Sequence, residues 1–297
     1  MSKVSSILSA FHALAIAITL ASCEKVAIPE SDASEELNGN LRVSVYQIEQ
    51  TPFAGSTRTT EAASVACTRL NFAIYDEDGS RLKQINQQSS AADFGSVAFQ
   101  LDEGTYQLVV VGHSANGNPT MTDPTKIQFS NATGYTDTFL CYGEVTIGED
   151  PVDYEVSLDR IVSLCRFVIT DAIPEGVTKL QFTYTGGSGA FDAATGLGSV
   201  KSTQKLVFDV QEGDAETQYD LYTFLHNQEG TIKLTVTALD ADENVYLERE
   251  FNIAMERNQI TTLTGAFFVG TTPSYAQSVT ATVTLNTPWE NETEMTY

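Results

Sequence analysis

From Leu41 onward, apolar residues recur at every second position, and beyond the first 22 residues no window shows a 3.6-residue period. A period of two sends alternate side chains to opposite faces of an extended segment, so the pattern commits the chain to strands. Leu41, Val43 and Val45 alternate with Arg42, Ser44 and Tyr46, and Leu70, Phe72 and Ile74 alternate with Asn71, Ala73 and Tyr75. Leu180, Phe182 and Tyr184 repeat the pattern, as do Ile232, Leu234, Val236 and Ala238. The 36 Thr, with abundant Val, Ile, Tyr and Phe, suit pleated, half-buried surfaces. Asp76-Glu77-Asp78-Gly79, Glu103-Gly104 and Asn116-Gly117-Asn118-Pro119 read as turns. Residues 106–111 are a richer apolar run, predicted as a central strand, while Arg249 interrupts the apolar face of 245–253 unless the register shifts there. Residues 261–269 and 279–285 complete the predicted strands. The fold class is all-β, built of sandwiches.

The first 22 residues read as an address. Lys3 precedes an apolar stretch over 10–20, too short for a membrane-spanning helix of about 20 apolar residues but long enough for a signal-peptide core. Leu20-Ala21-Ser22-Cys23 resembles the lipobox of bacterial lipoproteins, with Cys23 as the acylated residue. One acyl chain holds a protein to a bilayer weakly, and two or three hold it durably. Removing 1–22 leaves 275 residues with a charge of −24. Glu24, Glu30, Asp32, Glu35 and Glu36 make 23–40 a solvated acidic tether. Acidic residues after the Cys resemble the surface-export signal of Bacteroidetes lipoproteins, although Lys25 interrupts them.

The length prior of roughly 150 residues per domain gives two domains. The expected division is a signal peptide at 1–22, the tether at 23–40, an N-terminal β-sandwich at 41–158 and a C-terminal β-sandwich at 159–297. The joint at Leu158-Asp159-Arg160 is short, which restricts motion between the halves. Asp159 or Arg160 is expected to form a local pair or to contact the other half, and 161–297 is expected to fold by itself. A faint repeat pairs Cys67–Phe72 with Cys165–Val168, and Gly104–Leu108 with Thr217–Leu221.

Chemistry finds little stock. Sixteen Lys+Arg against 39 Asp+Glu give a net charge of −23, which excludes nucleic acid as a partner because phosphate binding needs clustered cations. Gly186-Gly187-Ser188-Gly189-Ala190 approaches a nucleophile elbow but ends in Ala, with no helix pattern behind it. No phosphate-binding loop occurs, and Gly196-Leu197-Gly198 lacks the third Gly of a dinucleotide fingerprint. His113 and His226 are far apart, without metal-ligand neighbours, and read as strand-end residues. Asp76–Gly79 lacks the order of a calcium loop. No catalytic, cofactor or metal residue is expected, and the chain is not expected to be an enzyme. Cys67, Cys141 and Cys165 allow at most one disulfide, with Cys67–Cys141 the favoured pair if any forms and three buried thiols the bland alternative. Trp289 reads as a hydrophobic lock on the last strand, with a sugar platform as the alternative.

Residues 184–192 (Tyr-Thr-Gly-Gly-Ser-Gly-Ala-Phe-Asp), Thr195-Gly196-Leu197-Gly198 and Leu158-Asp159-Arg160-Ile161-Val162 resemble hallmarks of the FimB/Mfa-type fimbrial subunits of Bacteroidetes. That resemblance implies two tandem Greek-key, transthyretin-like sandwiches. It also implies a lipid anchor at the outer-membrane surface and fimbrial shaft or accessory subunits as partners, with the protein holding a fimbrium at its base or capping it. It further implies that an anchored subunit keeps its own first strand. Residues 275–289 are then the candidate for a donated strand, or else simply the last strand of their own sheet. The alternative reading is a surface glycan-binding lipoprotein of a nutrient-uptake system. Mass spectrometry of the membrane-extracted protein is expected to show Cys23 as the acylated first residue; an unmodified Cys23 in the extracted protein would contradict this reading.

Overall fold

The computed structural model describes residues 38–50, 59–61, 66–269, 282–285 and 292–297. Cys23, residues 24–37 of the tether and Trp289 lie outside them, and of 275–289 only Thr282–Leu285 lies within. The described elements are all strands. The first nine are β1 (Leu41–Gln50), β2 (Thr59–Glu61), β3 (Arg69–Tyr75), β4 (Arg81–Gln88), β5 (Ser96–Phe99), β6 (Gly104–His113), β7 (Ile127–Gln128), β8 (Thr138–Ile147) and β9 (Val152–Arg160). Then follow β10 (Ser163–Ile169), β11 (Lys179–Thr185), β12 (Gly187–Ser188), β13 (Ala190–Phe191), β14 (Gln204–Asp209) and β15 (Thr217–Leu225). The last five are β16 (Glu229–Leu239), β17 (Val245–Glu256), β18 (Ile260–Gly265), β19 (Thr282–Leu285) and β20 (Glu292–Thr296).

The same strand order occurs twice. In the first half β1 lies between β5 and β9, antiparallel to β5 and parallel to β9, and β4-β3-β6-β8 packs against that layer. In the second half β10 lies between β15 and β18, antiparallel to β15 and parallel to β18, and β14-β11-β16-β17 packs against it. In chain order β1, β3, β4, β5, β6, β8 and β9 therefore correspond to β10, β11, β14, β15, β16, β17 and β18. The repeat is real in topology, but the sequence pairing was one strand out of step. Cys67 leads into β3 and Cys165 lies in β10, whose counterpart is β1; the two Tyr strands, β6 and β15, are offset in the same direction. Amphipathic strands share one pattern, so similarity alone does not set which strand matches which.

Three apolar cores result. The first joins Leu41, Val43, Phe72, Phe99, Val110 and Val156 from the first half, and the second joins Phe167, Phe182, Phe251 and Phe267 from the second. The third draws on both halves: Ala73, Tyr75, Val109, Val111 and Phe129 meet Ile161, Val162, Leu164, Phe191, Phe224 and Ile260. β3 and β6 thus bury both faces, which explains the unbroken apolar residues at 108–111. Residues 37–297 form one compact unit.

Local departures have simple causes. The ladder between β16 and β17 shifts between Ala238 and Leu239, which leaves Val245 exposed and turns Leu247, Phe251, Ile253 and Met255 inward. Arg249 does not break that face; its guanidinium lies 5.5 Å from the centroid of the Phe267 ring. β4 and β20 were missed in the sequence because each is mostly polar. β20 is nonetheless fixed by buried Met295 and by the residue after it: the Tyr297 ring stacks on Phe167 at 5.0 Å and its hydroxyl donates to the Val168 carbonyl at 3.1 Å. Nearby, Asp171 accepts bonds from the amides of Phe267, Phe268 and Val269, each at 2.7 Å. Tyr297→Ala is expected to cost about 2 kcal/mol, and Tyr297→Phe about 1 kcal/mol, in urea unfolding; equal losses would show that the ring contributes nothing.

Candidate functional site

The hallmark stretch at 184–198 builds the junction between the halves. β11 ends at Thr185, and Gly186 (φ +94°) turns the chain from the sheet of β11 into that of β15, where β12 pairs with Leu225 and Phe224. The turn is tight: a Cβ on Gly186 would stand 2.2 Å from the Thr231 carbonyl oxygen, and one on Gly187 2.0 Å from Thr223 Oγ1. Ser188, central to the elbow-like motif, is fully buried. Its hydroxyl donates to the Ala190 carbonyl at 2.5 Å and accepts from the Ala190 amide at 3.0 Å. That hydroxyl is a turn-forming group shielded from any substrate.

β13 then pairs with β7, which belongs to the long connection between β6 and β8 in the first half. The Phe129 amide donates to the Gly189 carbonyl at 2.9 Å, Ala193 donates to Pro124 at 2.8 Å, and Lys205 donates to Asn131 Oδ1 at 3.1 Å. Between these bonds stands a run of rings. His113 meets Phe129 edge-on at 5.0 Å, Phe129 stacks with Phe224 at 6.0 Å, and Phe224 meets Phe191 at 4.8 Å. Each pair adds about 0.5–1.5 kcal/mol beyond area burial.

His113 ties this run to a polar network. The Ala115 amide donates to Nδ1 at 3.1 Å, which leaves the ring proton on Nε2 to donate to Asn71 Oδ1 at 2.8 Å. Asn71 Nδ2 donates in turn to Asn86 and Asn118. Burial, with Arg69 nearby as a lesser cause, holds the His113 pKa down at about 4. At the joint, Arg160 binds Asp137 through two bonds, at 2.7 and 2.8 Å, and lies over the Phe139 ring. That is the local pair expected at Leu158-Asp159-Arg160.

The remaining sequence candidates do not converge. His226 Nδ1 lies 2.7 Å from the Gly198 carbonyl oxygen. Asp76–Gly79 is a turn in which Asp76 Oδ1 accepts from the amides of Asp78 and Ser80. Cys67, Cys141 and Cys165 form no disulfide with one another; burial pushes the Cys67 thiol up to about 11 and raises those of Cys141 and Cys165 as well, which favours the protonated thiol. Among the described residues, no group of three or more His, Cys, Asp or Glu could hold a metal ion, and no helix is long and apolar enough to cross a membrane. β1 keeps its place, bonded to β5 and β2 on one side and β9 on the other, and Thr282–Leu285 pairs with β20 within its own sheet. Sequence reasoning missed Phe129, Phe224 and His113 as junction residues. Each sits just past a strand, in a loop or at a strand end, where periodicity carries no signal.

The sequence model of the fimbrillin-A associated anchor proteins Mfa1 and Mfa2 matches residues 30–294. No curated protein sequence matches the chain. Among solved structures, a candidate adhesin from Bacteroides ovatus ATCC 8483 is 17% identical, with 64% of this chain and 77% of that chain covered and a TM-score of 0.44. The fimbrial anchor protein Mfa2 from Porphyromonas gingivalis is 12% identical over 70% of this chain and 80% of its own, with a TM-score of 0.38. A fimbrial assembly protein from Parabacteroides distasonis ATCC 8503 is 14% identical over 76% and 90%, with a TM-score of 0.35.

The His113 site gives a pH-dependent stability. Its folded pKa, about 4, lies below the ordinary value of 6.5, so the proton prefers the unfolded chain. Its contribution is complete above pH 6.5, falls as pH drops toward 4 and is gone below that. The loss is on the order of 3 kcal/mol. His113→Gln is expected to remove that part of the slope in urea titrations between pH 7 and 4; an unchanged slope would contradict the assignment.

Proposed function

The chain belongs to the fimbrillin-A associated anchor proteins, and on that premise we propose that it is a lipid-anchored outer-membrane subunit that holds or ends a cell-surface fimbrium. The role is structural, since the family is one of fimbrial anchors and adhesins and not of enzymes. The observation that carries the proposal is the family match across 30–294, which spans both halves and the junction. The acylated Cys23 is the membrane attachment, the acidic tether at 23–40 spaces the fold from the bilayer, and two tandem Greek-key sandwiches at 41–158 and 159–297 form the exposed body. The duplicated strand order supports that division.

The geometry suits a load-bearing role. Tension between a membrane anchor and a fimbrium would act across the joint at 158–162. There the Arg160–Asp137 pair, the β13–β7 bridge and the shared core resist separation. The filled β1 position fits a subunit that retains its first strand. The alternative, a glycan-binding lipoprotein, gains no support from the described surface: the exposed aromatics Tyr46, Tyr142 and Tyr246 lie on β1, β8 and β17, with none opposite another in a ladder.

In cells carrying Cys23→Ala, fimbriae are expected to be shed into the medium together with the soluble variant, as read by electron microscopy and immunoblotting of cell and supernatant fractions. Fimbriae that stayed on cells while the variant was released would contradict the anchor role.

A further inference from the structure

The duplicated fold contains one unequal position. β18 is bonded on both sides, by β10 and by β20, which runs parallel to it from Ile260↔Glu292 to Thr264↔Thr296. Its counterpart β9 is bonded to β1 along its length. On the other side, among the described residues, β9 meets only β8, at Asp159 and Arg160. Among the described residues, 152–158 thus have no strand on the edge where the second half carries one.

The backbone there is ready to pair. The Val152 amide donates to Asn40 on the β1 side, so by alternation Asp153 and Glu155 turn their N–H and C=O groups outward. Two ordinary edge protections, a bulge on the edge strand and a Pro within it, are missing, and charge alone guards it. Leu82 bulges out of the outermost strand β4, whereas the ladder shift beside β9 lies on β1, between Val45 and Gln47. No Pro interrupts residues 152–160. Val152 and Tyr154, which face the first core, are only half-buried, whereas Ile260 and Leu263 on β18 are buried beside β20 and its Met295.

Charge selects the occupant. Exposed Glu149, Asp150, Asp153 and Glu155 line this edge, with exposed Arg42 the cation facing them, 3.5 Å from Asp153. The acidic tether carries five acids against Lys25 and has the wrong sign, 270–281 contains no Lys or Arg, and a second copy would bring a further large negative charge. We propose that the outer edge of β9, Val152 to Ser157, accepts an extended segment of a partner protein, parallel to β9, with apolar residues at alternate positions and Lys or Arg between them. Main-chain bonds would supply affinity and the acidic rim would supply selectivity. This deepens the anchor reading by naming where a partner sits, and its test is independent of membrane attachment.

The probe is an eight-residue peptide of alternating Val and Lys, compared with its N-methylated form and with a Val/Glu version, on the folded chain lacking residues 1–23. In the free protein the Asp153 and Glu155 amides are expected to exchange rapidly, and the Val/Lys peptide to slow them about tenfold or more, while the other two peptides do not. Glu155→Pro is expected to abolish the protection without loss of the folded spectrum. Should that variant not fold, Asp153→Lys/Glu155→Lys is expected to exchange the preference toward the Val/Glu peptide, while Glu175→Lys/Glu212→Lys is expected to leave it unchanged. Amides already protected in the free protein, equal binding of the N-methylated peptide, or a preference unmoved by the double charge reversal would overturn the proposal. Fimbriae that stay on Cys23→Ala cells would overturn the anchor role and leave the peptide result standing.

Discussion

The contact between Phe191 and Phe224, with Phe129 on its far side, is where the two halves of the chain share one core. Each half closes its own core through period-two strands, but each also carries apolar side chains on an outer face. For β3 and β6 those are Ala73, Tyr75, Val109 and Val111; for β10 and β15 they are Leu164 and Phe224. Exposed, such faces would cost roughly 25 cal/mol for every Å² of apolar surface. The junction removes them from water, and the hallmark Gly-rich stretch exists to bring Phe191 and Ala193 into that space. Its glycines are fixed by clearance: side chains at 186 and 187 would collide with Thr231 and Thr223.

Polar groups at the junction follow the same logic. A buried histidine, a buried serine and a nearly buried arginine could each suggest chemistry. Here each has its partners within the fold: Asn71 and Ala115 for His113, Ala190 for Ser188, Asp137 for Arg160. Buried polar groups that are satisfied in this way rigidify a site and hold one arrangement.

The sequence made the strands legible wherever one face was apolar and the other polar, as at Leu70–Ile74 and Leu180–Tyr184. It failed at β4 and β20, where edge positions need few apolar residues, and at Arg249, whose stem and guanidinium cover an aromatic ring instead of breaking the face. The hallmark at 184–198 was visible as a motif and a loop, but its role was not, because its partners lie far away in the chain, at 124–135 and 223–225. Nor could alternation reveal that Phe129 and Phe191 would both meet Phe224, since neither stands in a long periodic run. The repeat was visible only as resemblance between strands, and the correct register required the pairing partners.

The central claim is that the shared core makes the two halves unfold as one. Scanning calorimetry of the chain lacking residues 1–23 tests it directly, alongside Phe191→Ala, which removes a ring worth about 3–5 kcal/mol at the junction. The account predicts a single transition with equal calorimetric and van't Hoff enthalpies, shifted as a whole to lower temperature by the substitution. Two resolved transitions in the unaltered chain, or a substitution that moves one half and leaves the other in place, would contradict it.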